Sequence, residues 1–211
     1  MSDRPPKPIL GHVADAANLL SLAGLLGSAA AIVFALNGRF AEAGACLMLA
    51  FLADIYDGPV AQRLTSRTAA DRAFGANLDS LIDIIGAGIV PAIVLLSYGR
   101  FEGWYLPGAF LLIAAAALRL SYFNVNGLGP TAAHYTGLPT DLVLLTFAAL
   151  MLLDAPLDRE LFRGVLYGGA VGLAALMVSP LKVRKLAGGW YYVLPLVAGL
   201  IGAGHVVRAL A

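Results

Sequence analysis

Charge is what this chain has least of. Only 13% of its 211 residues are Asp, Glu, Lys or Arg, about half the share usual in a water-soluble domain, roughly 25%. That deficit excludes a surface that faces water on all sides. The two signs nearly cancel, 14 basic against 13 acidic residues, so the strong positive field that draws proteins to nucleic acid is missing and no nucleic-acid partner is expected. The single cysteine, Cys46, cannot form an internal disulfide and reads as a small buried hydrophobe in an apolar run. His12, His134 and His205 lack metal-ligand spacing. No cleavable signal peptide is visible: Met1 to Pro8 is polar and proline-rich, and the first apolar run is long enough to span a membrane.

What is there is apolar, 60% of the chain. A hydrocarbon core about 30 Å thick requires about 20 apolar residues per helix. Runs of that kind fall near 16–36, 40–63, 75–98, 104–124, 139–154, 161–179 and 190–208, the fifth being short. Polar or Gly/Pro-containing connections separate them, such as Asn37-Gly-Arg, Asn126-Gly-Leu-Gly-Pro and Ser179-Pro-Leu-Lys. No barrel-like alternation is present, and unpaired backbone in lipid is costly, so the spans must be helices. The expected fold is all-α, a polytopic transmembrane bundle of about six or seven helices forming one integral membrane domain over 1–211. Trp190, Tyr191 and Tyr192 read as an interfacial aromatic belt in contact with membrane lipids.

Basic residues set the orientation. With the N-terminus in the cytoplasm, nine of them fall on that side: Arg4, Lys7, Arg63, Arg67, Arg72, Arg119, Lys182, Arg184 and Lys185. Five fall opposite: Arg39, Arg100, Arg159, Arg163 and Arg208. The connection over 64–74 is then cytoplasmic.

Four aspartates crowd into thirty positions: Asp54 and Asp57 close the second helix, and Asp79 and Asp83 open the third. Spacings of i,i+3 and i,i+4 put each pair on one helix face, and a short connection lets the faces meet. Carboxylates so placed repel one another unless a cation lies between them. An all-oxygen donor set suits a hard divalent ion rather than zinc. Helix-end capping, with Asp79 favoured by the dipole of a first turn, is the competing explanation for a single aspartate. It is strained for four of them interleaved with Gly58, Ala61 and Gly75, since intramembrane ionisable groups are functional by default.

Asp54-x2-Asp57-Gly58-x2-Ala61, followed by Gly75-x3-Asp79-x3-Asp83, resembles the signature of the CDP-alcohol phosphatidyltransferase family, Asp-x2-Asp-Gly-x2-Ala-Arg-x8-Gly-x3-Asp-x3-Asp. Seven of the eight fixed residues are present. Gln62 stands at the arginine position, and twelve residues rather than eight separate it from Gly75. Either Arg63 takes the arginine's place or the nucleotide is held differently. Later segments resemble the phosphatidylserine synthase branch: Leu78-Asp79-Ser80-Leu81-x-Asp83, the stretch Ala117 to Val125 around Arg119, Tyr135-Thr-Gly137-Leu138-Pro139, and Leu176-Met177-Val178-Ser179. Asn18-Leu-Leu-Ser resembles the family's Asn-x-Leu-Thr. Thr140-Asp141 departs from an expected Ser-Pro, and Ile84 to Gly88 departs from Val-Ser-Phe-Gly.

The resemblance implies metal-dependent transfer of a phosphatidyl group from CDP-diacylglycerol to a small alcohol, L-serine favoured, with release of CMP. It implies two Mg2+ or Mn2+ ions on Asp54, Asp57, Asp79 and Asp83, and Asp83 as general base. Asn18, Gly58, Ala61, Arg63, Gly75 and Arg119 are the expected substrate-binding residues. The glycines allow close backbone approach, and Arg119 is suited to phosphate or to an acceptor carboxylate. It further implies a homodimer in a prokaryotic plasma membrane with its site facing the cytoplasm. Choline, an inositol phosphate or glycerol phosphate are alternative acceptors. A cation transporter would call for discontinuous helices in two matching halves, which the sequence does not show. A non-catalytic remnant is the last alternative, raised by Gln62.

Overall fold

The structure is a computed structural model and describes residues 7–127, 134–185 and 188–211. Arg4 and positions 128–130 of the connection after the fourth apolar run lie outside the described residues. Among the described residues the protein is all-helical apart from two three-residue strands. A short α1 (Ile9–Val13) precedes α2 (Ala16–Leu36), α3 (Phe40–Arg63), α4 (Ala69–Ile84), α5 (Val90–Tyr98) and α6 (Leu106–Asn126). Strand β1 (His134–Thr136) leads into α7 (Thr140–Met151) and α8 (Arg159–Met177); β2 (Lys182–Arg184) leads into α9 (Trp190–Leu210). Six helical segments are long and apolar enough to cross a membrane, and this is an integral membrane protein.

The short fifth run has a structural reason. Helix α7 is an interior helix: Val143, Leu144, Leu145, Phe147, Ala148 and Met151 are all buried. Protein surrounds it, so it needs no lipid-facing length. A 3-10 turn over Leu152–Asp154 completes its passage. At that far end Asp154 accepts from Tyr98 Oη at 3.1 Å and from Arg208 Nη2 at 2.8 Å, tying together the ends of α5, α7 and α9.

Small residues set the helix spacing around the site. The buried stripe of α2 runs Ala17, Ser21, Gly24, Ser28, Ala31, Ala35, recurring every three or four residues as a single helix face must. A Cβ at Gly27 would lie 3.1 Å from the Cys46 carbonyl oxygen. Close approach of this kind is how membrane helices pack where lipid removes the hydrophobic drive. At Gly24 the same closeness, 3.2 Å from its would-be Cβ to the Ala53 Cβ, presses α2 against the half of α3 that carries Asp54 and Asp57.

The third apolar run differs from expectation in two ways. Helix α4 begins at Ala69, six residues before the expected start, behind a capping box in which Thr68 and Asp71 satisfy each other's backbone amides. Asp79 therefore lies in the third turn rather than the first, and the helix dipole does not explain it. The run is also interrupted by one π turn over Ile85–Ile89. Pro91 has no amide to give the Ala87 carbonyl, and Gly86 and Gly88 admit Leu144 and Ala116 at 3.2 and 3.1 Å from their would-be Cβ positions. The wider turn falls just beyond Asp83, next to the candidate site, as such bulges often do.

Two segments that are weak as separate motifs meet at the near end. Strands β1 and β2 pair antiparallel, Tyr135 opposite Val183. Gly137 turns at φ 75° and its amide donates to Leu181 O at 2.7 Å, while Leu138 N donates to Leu176 O at 3.0 Å. A side chain at 137 would run into the Met177 carbonyl. This clasp fixes where α7 begins, and so where Thr140 and Asp141 point.

Candidate active site

The expected aspartates do converge. One carboxylate oxygen from each of Asp54, Asp57 and Asp79 lies within 4.8 Å of the others. Asp83 stands one turn deeper and bonds elsewhere, its Oδ2 accepting from Thr140 Oγ1 at 3.0 Å. Ser21 on α2 donates to Asp57 Oδ2 at 2.5 Å. Among the described residues the ion pairs involve Asp15, Glu42, Asp71, Asp154 and Glu160, and none reaches these four aspartates. Half-buried carboxylates without a basic partner are the setting in which a hard cation is the natural counter-charge. The donor set fits a divalent ion.

A cavity of about 180 Å³ joins the cluster to Arg119, Tyr135, Thr140 and Asp141. Arg119 is 8% exposed, its Nη1 donates to Thr140 Oγ1 at 3.2 Å, and its Nε has no partner. A buried guanidinium with a free N–H, and with none of these carboxylates as an ion-pair partner, is poised for an anionic group. The hydroxyl of Thr140 thus links Arg119 to Asp83. Burial, and after it the Asp141 charge, hold the Tyr135 phenol above its ordinary pKa, so it keeps its proton as a donor.

A second cavity, of about 300 Å³, opens on the other side of Asp57 and Asp79, at the lower end of the about 300–1,000 Å³ typical of small-molecule sites. Asn18, Gly58, Ala61 and Gly75, four of the residues named from the sequence, line it. Gly58 has nothing within 4 Å of its would-be Cβ, so it leaves space. Gly75 is different: a Cβ there would collide with the Arg67 guanidinium and come within 3.0 Å of Asn18 Oδ1.

Arg63 is not brought to this cavity; its side chain is exposed at the end of α3. Gln62, Arg67 and Arg72 line it instead. The side chain of Arg67 is 8% exposed, with Nε 3.1 Å from Asp15 Oδ2 and Nη2 donating to Asn18 Oδ1 and to Asp71 O, each at 3.2 Å. The lengthened connection supplies this residue. Its backbone carbonyl accepts from Arg72 Nη1 at 2.6 Å, and the amide of the next residue, Thr68, donates to Asp71, which also accepts from Lys7 Nζ and meets His12 Nδ1, both at 2.9 Å. Arg67, Asp141 and Thr140 were not picked out from the sequence as site residues. The extra length before Gly75 and the Thr-Asp in place of Ser-Pro are the marks that pointed to them.

Comparison with known proteins agrees with this geometry. A sequence model described as CDP-alcohol phosphatidyltransferase matches residues 14–181. The chain is 33% identical over 172 residues to archaetidylserine synthase of Methanothermobacter thermautotrophicus, covering 81% of this chain and 70% of that protein. It is 30% identical over 174 residues to CDP-diacylglycerol–serine O-phosphatidyltransferase of Methanocaldococcus jannaschii, 78% and 76% of the two chains. It is 24% identical over 170 residues to phosphatidylcholine synthase of Rhizobium johnstonii, 80% and 69%. That match spans most of the chain and includes the clustered aspartates of α3 and α4, and the chain belongs to the CDP-alcohol phosphatidyltransferase family.

Proposed function

We propose that this enzyme transfers the phosphatidyl group of CDP-diacylglycerol to L-serine, with CMP as the other product. The observation that carries the reading is a continuous wall of carboxylates, Asp54, Asp57, Asp79 and Asp83, facing the buried and partly unpaired Arg119. Relatives named for serine transfer support the choice of acceptor.

The acceptor hydroxyl attacks the lipid-side phosphorus; the new O–P bond forms as the pyrophosphate P–O bond breaks, and its electron pair leaves on CMP. Asp83 takes the hydroxyl proton. Thr140 orients Asp83 by donating to it, and Arg119 holds Thr140 in turn. Arg119 Nε is free for a phosphate oxygen. Gly58 and Ala61 leave room for the nucleotide, and Arg67 and Arg72 present positive charge to it. Asp54, Asp57 and Asp79 would hold two divalent ions, Mg2+ or Mn2+, with Asp83 as a further ligand. When bound, such ions neutralise the two phosphates beside an acidic site.

The enzyme acts as a homodimer in a prokaryotic plasma membrane, its site on the cytoplasmic face; the basic bias toward the end bearing Arg67, Arg72 and Lys182 supports that orientation. The test supplies purified protein with CDP-diacylglycerol, Mn2+ or Mg2+ and a panel of alcohols, and follows CMP. L-Serine is expected to give the fastest release, and excess chelator to stop it. Faster release with choline would replace serine by the second acceptor, which the Rhizobium relative favours.

A further inference from the structure

A third cavity, also about 180 Å³, lies beside Asp54, between α3, the β1–α7 turn and α9. It shares Asp54, Tyr135, Pro139 and Asp141 with the cavity of the aspartate cluster, so a small molecule seated in it reaches the reacting centre. Its chemistry is unlike the rest of the site. Trp190, Tyr191 and Tyr135 give it aromatic faces, Asp141 gives a carboxylate, and Lys185 gives an ammonium group.

Two acceptors on residues that line this space are short of a donor. The single proton of Thr140 Oγ1 serves Asp83 at 3.0 Å, while Asp141 Oδ1 is 3.4 Å away. Among the described residues no basic side chain forms an ion pair with Asp141. Pro59, within α3, has no amide hydrogen, so the Ile55 carbonyl lacks its α-helical donor; both residues line the cavity. An ammonium group has three N–H donors, and aromatic faces favour a cation beside them. Lys185 in the same wall favours a carboxylate on the same molecule.

We propose that this cavity is the acceptor subsite and that Asp141 is its specificity-determining residue, receiving the primary ammonium of a zwitterionic hydroxy amino acid whose carboxylate faces Lys185. The proposal rests on the transfer reaction assigned above and names how its acceptor is chosen. Asp141 and the Ile55 carbonyl take the ammonium, the aromatic rings cover it, and the hydroxyl extends past Asp54 toward Asp83. A quaternary ammonium lacks the N–H donors these two acceptors call for, and an acceptor phosphate would meet Asp141 as a like charge.

The experiment measures CMP release at saturating CDP-diacylglycerol while L-serine, ethanolamine, choline and 3-hydroxypropanoate are titrated in turn, for wild type, Asp141→Asn and Lys185→Gln. Binding of labelled L-serine to the same preparations provides a readout independent of turnover. Wild type is expected to prefer L-serine over 3-hydroxypropanoate, which lacks only the ammonium, by about ten- to a hundred-fold in kcat/KM, the scale of one charged hydrogen bond. Asp141→Asn should raise KM and weaken binding for L-serine by a similar factor, and collapse that preference. Lys185→Gln should weaken L-serine but not ethanolamine. If wild type ignores the ammonium, or if Asp141→Asn binds L-serine as tightly as wild type, the subsite is overturned while the transfer reaction stands. A preference for choline in wild type overturns it too. If no alcohol of the panel releases CMP, the assigned reaction itself has failed. The wild-type comparison alone decides the matter should Asp141→Asn not fold.

Discussion

Gly75→Ala is the sharpest perturbation of the cavity proposed for the nucleotide, because the collision it creates is with one identifiable group. The added methyl displaces the Arg67 guanidinium, since the alternative is to move the α4 backbone. Displacement separates Arg67 from Asp15 and from Asn18, contacts of 3.1 and 3.2 Å. Stripping one partner from a fully buried ion pair costs about 3–5 kcal/mol. Here the Asp15 side chain is 21% exposed, and Asn18 keeps its 2.6 Å bond to the His12 carbonyl. The loss should therefore fall below that range, at about 2 kcal/mol, or about 4–8 °C in Tm for a chain of this size.

Arg67→Ala should cost a similar amount, and the double variant little more than either, because without the guanidinium the methyl at 75 meets only Asn18 Oδ1. A coupling of about 2 kcal/mol is expected from the cycle. Thermal unfolding of the detergent-purified protein, without substrate, measures all four corners. Gly58→Ala is the control: nothing lies near its would-be Cβ, so helix propensity should leave it as stable as wild type or up to about 1 kcal/mol more so. It should still raise KM for CDP-diacylglycerol, because it narrows the cavity. Additive losses at 67 and 75 would refute the reasoning, since the two positions would then act on different parts of the fold.

Asp83→Asn should bind the CDP-lipid nearly as wild type does and turn over about a hundred- to ten-thousand-fold more slowly, the usual cost of a lost general base; near-normal turnover would return Asp83 to an ordinary ligand. Arg63→Ala should leave KM for the CDP-lipid within about two-fold while Arg67→Ala raises it about ten-fold or more, on the scale of a charged hydrogen bond. A cysteine at Ser66, with Cys46 replaced, should be shielded from an impermeant thiol reagent in intact cells, and labelling from outside would invert the orientation.

The bundle was legible because its cause is local. Low charge and runs of about 20 apolar residues leave helices as the only spanning structure. The aspartates were legible for the same reason: i,i+3 and i,i+4 spacings fix a face without any knowledge of the partner helix. The position of Asp79 within α4 was misjudged because the helix extends back to a capping box whose acid, Asp71, also answers to Lys7 and His12, 64 and 59 residues away in the chain. A cap tied down from that distance leaves little trace in a short window of sequence.

The substrate cavities were harder to foresee, and the reason lies in how the far half of the chain returns. Arg67 was hidden because pattern reasoning looks for an arginine at a fixed offset, whereas a guanidinium on a long side chain can reach the same cavity from a longer connection. Asp141 was hidden because its position depends on a clasp between residues some 40 apart: Gly137 and Leu138 bonding to Leu181 and Leu176. Without that clasp α7 would begin elsewhere, and Thr140 would not stand between Arg119 and Asp83. The carboxylate pairs on α3 and α4 meet through neighbours in sequence, since one short connection joins their helices and the preceding α2 packs against both. The acceptor side of the site cannot, because it is assembled from α3, the β1–α7 turn and α9, three segments that only the completed bundle brings together. On the proposed reading, acceptor choice therefore rests on contacts spread over more than a hundred residues, whereas the aspartate cluster lies within thirty.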